Sequence, residues 1–354
     1  MGVRYIPLEA ESDPKDSGVL VLGTRADAPY DDQKSFREYS FRKSQYYHID
    51  KDLLTPGTAI EFSLFAHSHL NFEPLLQASE GSPARVPDGV GAFAGDILIR
   101  KSDIPLYSAY ITSLDTPSQA SKHQGTWIET AVLRENSKLV IRELLDHPRS
   151  GQYIRECGES VNRMITCILN DREAIHDLLS IRNFDYYTYT HSVNVAVLSI
   201  GLGIAVSLPR PDLENLGLGA MLHDIGKSAI PPDLLNKQGR LTDVEYGVLR
   251  THVLQGERIL TEGREVPEEC LTAVSQHHEK LTGRGYPRRL SGQAIALFGK
   301  IAGIADCYDA LTTRRPYKTA FSPFEALTII VKETQDYDRD LLKAFITMLG
   351  HLEH

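Results

Sequence analysis

Histidine and aspartate stand side by side at His223-Asp224, inside the run Leu222-His223-Asp224-Ile225-Gly226-Lys227. Neighbouring residues on an α-helix project about 100° apart, because the helix turns once in about 3.6 residues. The pair can chelate or bridge cations only where the backbone leaves regular helix, and Gly226 permits such a bend. A single His-Asp dipeptide is usually a coincidence of surface composition. What gives this one weight is the supply of further histidines and aspartates at usable distances.

Those are His191, His252, His277, His278 and Asp306. Taken singly, each has a bland reading. His191 opens an apolar segment and reads equally as a helix cap or a buried, hydrogen-bonded histidine. His252, close to Arg250, reads as a surface residue. His277-His278 is followed by Glu279, Gly283 and Gly285 and falls where helix gives way to loop. Asp306 lies in the apolar run Ile304-Ala305-Asp306-Cys307, where a carboxylate is costly to bury without a partner. A cation is such a partner. Imidazoles with carboxylates suit Fe, Mn, Zn or Ni rather than Ca. With Asp224 the donors outnumber the four of one tetrahedral zinc. Two divalent transition metals bridged by Asp224 would use them. Such pairs stand roughly 3.5–4 Å apart and activate water against phosphate esters.

The chain has 354 residues, enough for about two domains of roughly 150 residues. Lys and Arg number 38 against 47 Asp and Glu, a net charge of −9. That balance lacks the footprint for long nucleic acid. It leaves room for a small anion where metals or local cations reverse the field. Cys157, Cys167, Cys270 and Cys307 show no CxxC spacing, so neither a zinc knuckle nor a disulfide scaffold is expected. Reduced cytosolic thiols are the reading. The start, Met1-Gly2-Val3-Arg4-Tyr5, carries no apolar signal-peptide core. The longest apolar stretch, about 193–208, includes Asn194, Ser199 and Gly201 and falls short of the ~18 residues of a membrane span. A cytoplasmic protein is expected.

The chain divides by character. Residues 1–40 are polar, with little periodicity, and are expected to be mostly mobile. Residues 41–120 read as a small α+β accessory or sensory domain, with strands at 46–49, 59–65 and 97–99 and a turn at Pro56-Gly57. Residues 121–180 read as a helical connector, with helices over about 127–145 and 154–169 and a third starting within 171–179. The connector also offers a homodimer contact. Residues 181–351 are nearly all helix, including about 191–206 and 212–222. Thr242 with Glu245, and Ser322 with Glu325, spell capping boxes, and Pro323 takes the first helical position. Residues 352–354 look like the remnant of a purification tag and are set aside. The expected fold is mainly α, a C-terminal helical bundle behind a small N-terminal α+β domain. Side-by-side helices can direct donors from several elements into one interior site.

His223-Asp224-Ile225-Gly226-Lys227, His277-His278-Glu279 and Gly285-Tyr286-Pro287 resemble the HD-GYP domains, a bacterial branch of the HD phosphohydrolase superfamily. The segment 187–196 upstream, and Asp306-Cys307-Tyr308-Asp309-Ala310-Leu311-Thr312 with Arg315-Pro316-Tyr317-Lys318 downstream, follow the same order. The resemblance covers about 180–350. Residues 45–115 more loosely resemble a small domain found ahead of some HD-GYP domains. The resemblance implies an HD-type bundle that hydrolyses the bacterial second messenger cyclic di-GMP to linear pGpG, and in some members to GMP, by a metal-activated hydroxide. It implies that His191, His223, Asp224, His252, His277, His278 and Asp306 hold the metals, Fe or Mn before Zn or Ni. Asp224 and Lys227 would be the catalytic pair, Lys227 contacting the scissile phosphate and assisting the leaving oxygen. Arg315 and Lys318 would grip ligand phosphates, and Gly285, Tyr286 and Pro287 would shape a guanine pocket.

The sequence departs from the family at a few positions. Some members carry a glutamate four residues before the first histidine and hold a third metal. This chain has Tyr187 there, and Asp185 is no obvious replacement, so two metals are expected. Val253 follows His252 where proline is common, and Arg314 stands where an acidic or polar residue often does. Other readings of the same residues are a catalytically silent sensor or scaffold, and an HD phosphohydrolase acting on another cyclic dinucleotide such as cyclic GMP-AMP. Residues 1–115 are expected to be regulatory, because every proposed ligand lies between His191 and Asp306.

Overall fold

A computed structural model describes residues 45–68, 71–114, 122–179, 187–237, 239–313 and 320–350, with backbone alone at 68, 71, 122–126, 187 and 188. The chain separates into two compact units, Met1–Leu114 and Asp115–His354.

The first unit carries β1 (Tyr46–His48), β2 (Ala59–Ile60), β3 (Leu64–Ser68), β4 (Asn71–Leu76), β5 (Ala84–Arg85), β6 (Ile97–Arg100) and α1 (Ile104–Leu114). β1, β6, β3 and β4 form one antiparallel sheet in that order, and β2 and β5 form a ribbon. Tyr47 pairs with Ile99, and both are fully buried. Successive strand side chains alternate faces, and Ile97, Leu98 and Ile99 are all buried, so β6 is covered on both. Phe62 packs edge-on against Tyr107 and Tyr110 of α1, at 5.6 and 5.7 Å between ring centres.

The strand expected over 59–65 is two strands. The chain leaves the ribbon at Ile60 and enters the sheet at Leu64. Between them the Ser63 hydroxyl donates to the Ala78 carbonyl and accepts from the Ala78 amide, which turns the chain from one pairing to the other. β4 has no counterpart in the sequence reading because Pro74 lies in it. Proline is tolerated on an edge strand, which β4 is. α1 was also not expected. Its Ile, Tyr, Ser and Thr content favours strands, whereas Pro105 in its first turn is the helical signal.

The second unit is helical: α2 (Lys122–Asp146), α3 (Gly151–Asn170), α4 (Ala174–Leu179), α5 (Tyr187–Ala205), α6 (Arg210–Met221), α7 (Pro232–Leu235), α8 (Asp243–Arg250), α9 (His252–Gly263), α10 (Glu268–Gln276), α11 (Leu297–Thr312), α12 (Pro323–Lys332) and α13 (Arg339–Gly350). Both expected capping boxes are formed, Thr242 with Glu245 and Ser322 with Glu325. The helices over 122–179 share one core with those that follow, through Val161, Met164 and Ile165 of α3. α5 is apolar on all sides and therefore central. Val193, Val195, Val197, Ile200 and Leu202 are all fully buried, and α2, α4, α6, α11 and α13 surround the helix.

α6 and α10 meet at Gly219. A Cβ there would lie 2.4 Å from the Cys270 carbonyl oxygen and 3.0 Å from Ala273 Cβ. Gly219 lies near the end of α6, which leads into His223-Asp224, and Cys270 lies in the first turn of α10, which leads into His277-His278. Alanine is the better helix former by about 1 kcal/mol. Overpacking of a tight contact costs about 1–3 kcal/mol. Gly219→Ala is therefore expected to lower the midpoint of thermal unfolding. A variant that melts at or above the parent temperature would show that the contact has room to spare.

Candidate metal centre

Helix ends leave carbonyl groups without an amide partner. His223 follows α6, and its Nδ1 lies 2.7 Å from the Ala220 carbonyl oxygen. His277 follows α10, with Nδ1 2.9 Å from the Val274 oxygen and 3.2 Å from that of Ala273. His252 Nδ1 lies 2.7 Å from the Leu249 oxygen at the end of α8. A carbonyl can only accept, so in each ring Nδ1 carries the proton and donates it. Each Nε2 is left as a bare lone pair, the state in which imidazole ligates a metal.

The lone pairs converge. His223 Nε2 and His191 Nε2 stand 3.2 Å apart. Asp224 Oδ2 lies 3.3 Å from His223 Nε2 and 3.7 Å from His191 Nε2, and Asp224 Oδ1 lies 3.3 Å from His252 Nε2. Asp306 Oδ1 is 3.1 Å from His191 Nε2, and its Oδ2 is 3.5 Å from His278 Nδ1. All seven candidate ligands thus meet, and only His278 is appreciably open to solvent, at 27%. His252 Nε2 and His277 Nε2 are buried without a hydrogen-bond partner among the described residues. A buried polar atom with no partner costs roughly 1–3 kcal/mol. A cation accepts such lone pairs and relieves the repulsion between them, so the residues present fit a metal. His252–His277–His278, His191–His223–Asp306 and His223–Asp224–His277 each bring three donor atoms within 4.8 Å of one another.

His191 is held differently, and by residues the sequence reading did not single out. Its Nδ1 lies 2.7 Å from Asp309 Oδ2, and Asn194 Nδ2 donates to Asp309 Oδ1 at 2.7 Å. Two signals were available: Asp309 is one helical turn beyond Asp306, and Asn194 follows His191 by three, so each pair shares a helix face. Burial pushes the His191 pKa down, but the bonds with Asp306 and Asp309 outweigh it and lift the value to about 9. Burial also pushes Asp224 towards protonation. Lys227, then His223 and His252, prevail and hold its carboxyl well below the usual range.

The His-Asp turn continues into a 3-10 turn, Ile225–Ala229, that returns Lys227 to Asp224 as an ion pair. Gly226 has a different role from the expected bend, because the bend lies at Leu222 and Asp224, with ψ near 0°. A Cβ on Gly226 would sit 1.9 Å from the His252 carbonyl oxygen, so glycine is needed for close approach to α9. Gly285 serves the same end, since its Cβ would come within 2.6 Å of the backbone at His278, Glu279 and Lys280. Buried Glu279, also absent from the expected site, straps this loop by accepting from the amides of Arg288 and Leu290 at 2.7 and 2.9 Å. Tyr286, preceding Pro287, places its ring 4.6 Å from that of His278, and Arg250 lies 4.2 Å over the same phenol ring. Arg315 and Lys318 lie outside the described residues, as does the side chain of Tyr187.

Two opposite linkages follow for the metal-free protein. Burial, then the charges of His278 and His223, hold His277 well below its ordinary 6.5. Its contribution to stability is complete above pH 6.5 and is lost as pH falls. His191 is raised, so its contribution is complete below pH 6.5 and is lost as pH rises through about 9. Urea midpoints of chelator-stripped protein should therefore decline on the alkaline side between pH 6.5 and 9. That decline should vanish on metal loading, because the ion displaces the His191 proton. A flat metal-free profile over this range would contradict the His191 assignment.

The chain resembles known proteins over this same region. Residues 173–341 match the HD domain. The cyclic di-GMP phosphodiesterase PA4108 of Pseudomonas aeruginosa is 34% identical over 62% of this chain and 54% of its own length. The 3′3′-cGAMP-specific phosphodiesterase 2 of Vibrio cholerae is 43% identical over 27% of this chain and 19% of its own. The chain thus spans about half or less of the curated relatives it matches. Bd1817, an HDG"Y"P protein from Bdellovibrio bacteriovorus, shares the fold at a TM-score of 0.66 and 16% identity, over 86% of this chain and 99% of that one. With its histidines and aspartates gathered in one buried cluster and its sequence matched across them, the chain is a member of the HD-domain superfamily, related to the HD-GYP-type cyclic di-GMP phosphodiesterases.

Proposed function

We propose that this protein is a metal-dependent phosphodiesterase that opens a cyclic dinucleotide, cyclic di-GMP first, to the linear product pGpG. The observation that carries the reading is the convergence of buried, unpartnered imidazole lone pairs with Asp224 and Asp306. In this reading Asp224 with His191, His223 and Asp306 would hold one cation, and Asp224 with His252, His277 and His278 would hold a second. Fe and Mn suit this donor set first, and Zn and Ni also fit. Bound divalent cations supply positive charge against the phosphodiester and lower the pKa of water towards about 7.

The remaining work falls to the chain's own side chains. Water adds a hydroxyl to phosphorus, the bond to the 3′ oxygen breaks, and that oxygen departs with a proton. The phosphate stays on the 5′ side, as pGpG requires. Lys227, paired with Asp224 and partly open to solvent, would neutralise charge growing on the departing oxygen. Arg315 and Lys318 are assigned to the ligand phosphates, and Gly285, Tyr286 and Pro287 to a base. Residues 1–115 are assigned a regulatory part. No helix among the described residues is long and apolar enough to cross a membrane, in keeping with a cytoplasmic messenger as substrate.

Purified protein loaded with Mn or Fe should convert cyclic di-GMP to pGpG, as read by chromatography, with cyclic GMP-AMP run in parallel. Faster turnover of cyclic GMP-AMP would move the assignment to that messenger. Binding with no product would favour the sensor reading.

Two substitutions test the roles within the site. Asp224→Ala should abolish turnover and reduce metal content, since its carboxylate meets three of the histidines, His191, His223 and His252. Retention of both metals with near-normal rate would reassign the bridge. Lys227→Ala should leave the metals in place and lower the saturated rate by about 10²–10³, the usual effect of losing one charge-stabilising contact. A raised Michaelis constant with unchanged turnover would give Lys227 a binding role instead.

A further inference from the structure

The two halves of the donor set are unlike. His191, His223 and Asp306 form one half, and His252, His277 and His278 the other. Asp306 turns Oδ1 to His191 at 3.1 Å and Oδ2 to His278 Nδ1 at 3.5 Å and so reaches both halves, whereas Asp309 stands directly behind His191 of the first half alone. In the second half His252 and His277 are backed by backbone carbonyl oxygens. Asp224 reaches both halves, with Oδ2 towards His223 and Oδ1 towards His252, and so does not distinguish them.

A carboxylate behind a histidine ligand fixes the ring and makes it a stronger donor. It brings a full negative charge, where a carbonyl brings a partial one. Asp309 is 3% exposed, and charges interact more strongly away from water. It is also fixed at both oxygens, one receiving the His191 proton and the other the Asn194 amide. The first half therefore offers more negative charge on a more rigid frame.

Resting on the binuclear reading above, we propose that the two cation positions differ in affinity. The His191–His223–Asp306 position fills first and retains its ion. The His252–His277–His278 position fills second and exchanges. Asp309, held by Asn194, is the positioning residue that sets the difference. A hard, oxygen-preferring ion exposes the contrast best, because it gains most from carboxylate charge.

The test is a stepwise titration of metal-free, full-length protein with Mn(II), with free and bound ion followed by electron paramagnetic resonance. The parent protein should take up one equivalent tightly and a second at least about tenfold more weakly. Magnetic coupling between ions should emerge only with the second. Asp309→Asn keeps the shape and removes the charge. It should weaken the first step by about 10–100-fold, the usual effect of losing such a supporting residue, and leave the second unchanged. His252→Ala should abolish the second step alone. If Asp309→Asn does not fold without metal, Asn194→Ala is the second variant, with a smaller loss at the same step. Equal affinities in the parent overturn the proposal. So does an Asp309 variant that weakens both steps alike or neither. Uptake of one ion only, at any Mn(II) concentration, would instead overturn the binuclear reading.

Discussion

The donation of imidazole Nδ1–H to the open carbonyls at helix ends is the interaction on which this site depends. A helix must find partners for its last carbonyl groups. At α6, α8 and α10 a histidine ring supplies one, and the bond fixes the tautomer. The same bond aims the opposite nitrogen at the interior. Helix C-termini also carry partial negative charge, which favours a nearby cation. Local helix chemistry and the electrostatics of the centre therefore favour the same arrangement for His223, His252 and His277, whereas His191 is pointed by Asp309 from a helix distant in the chain.

Packing supplies the rest. α5 is buried on every side and delivers His191 from the middle of the unit. Gly219 lets α6 approach α10 closely, and His223 and His277, which follow those helices, stand with ring centres 4.9 Å apart. The buried Asp224, Asp306 and Asp309 would be unfavourable together without positive partners. Lys227 and His191 provide some of that charge, and cations would provide more. Protons and metal ions therefore compete for the same lone pair on His191, which ties occupancy of the centre to pH.

Much of this was legible in the sequence. The seven candidate ligands were all named from residue type and from their place at helix ends or in an apolar run, and they do meet. The mainly helical second unit and both capping boxes were readable because helical periodicity and caps are local signals. What was not legible depended on partners distant in the chain. Asp309 and Asn194 gain their role only when α11 lies beside α5. Glu279 is a strap only because the loop bearing Arg288 and Leu290 returns to it. In the first unit β4 was hidden by its proline and α1 by its strand-like composition. The strand expected over 59–65 divides because Ser63 bonds with Ala78, a contact no local pattern announces.

Gly226 has a consequence for how this protein can change over time. The space a side chain would need there is filled by the carbonyl oxygen of His252 and the amide of Gly256. Position 226 is thus closed to every residue with a Cβ, although it binds nothing itself. A substitution there would push the turn carrying Asp224 and Lys227 away from the helix carrying His252, disturbing both halves of the centre at once. Repair would need backbone movement on both sides of the contact, so no single compensating side-chain replacement could restore it. A position that touches neither metal nor substrate thus restricts variation as tightly as a ligand does.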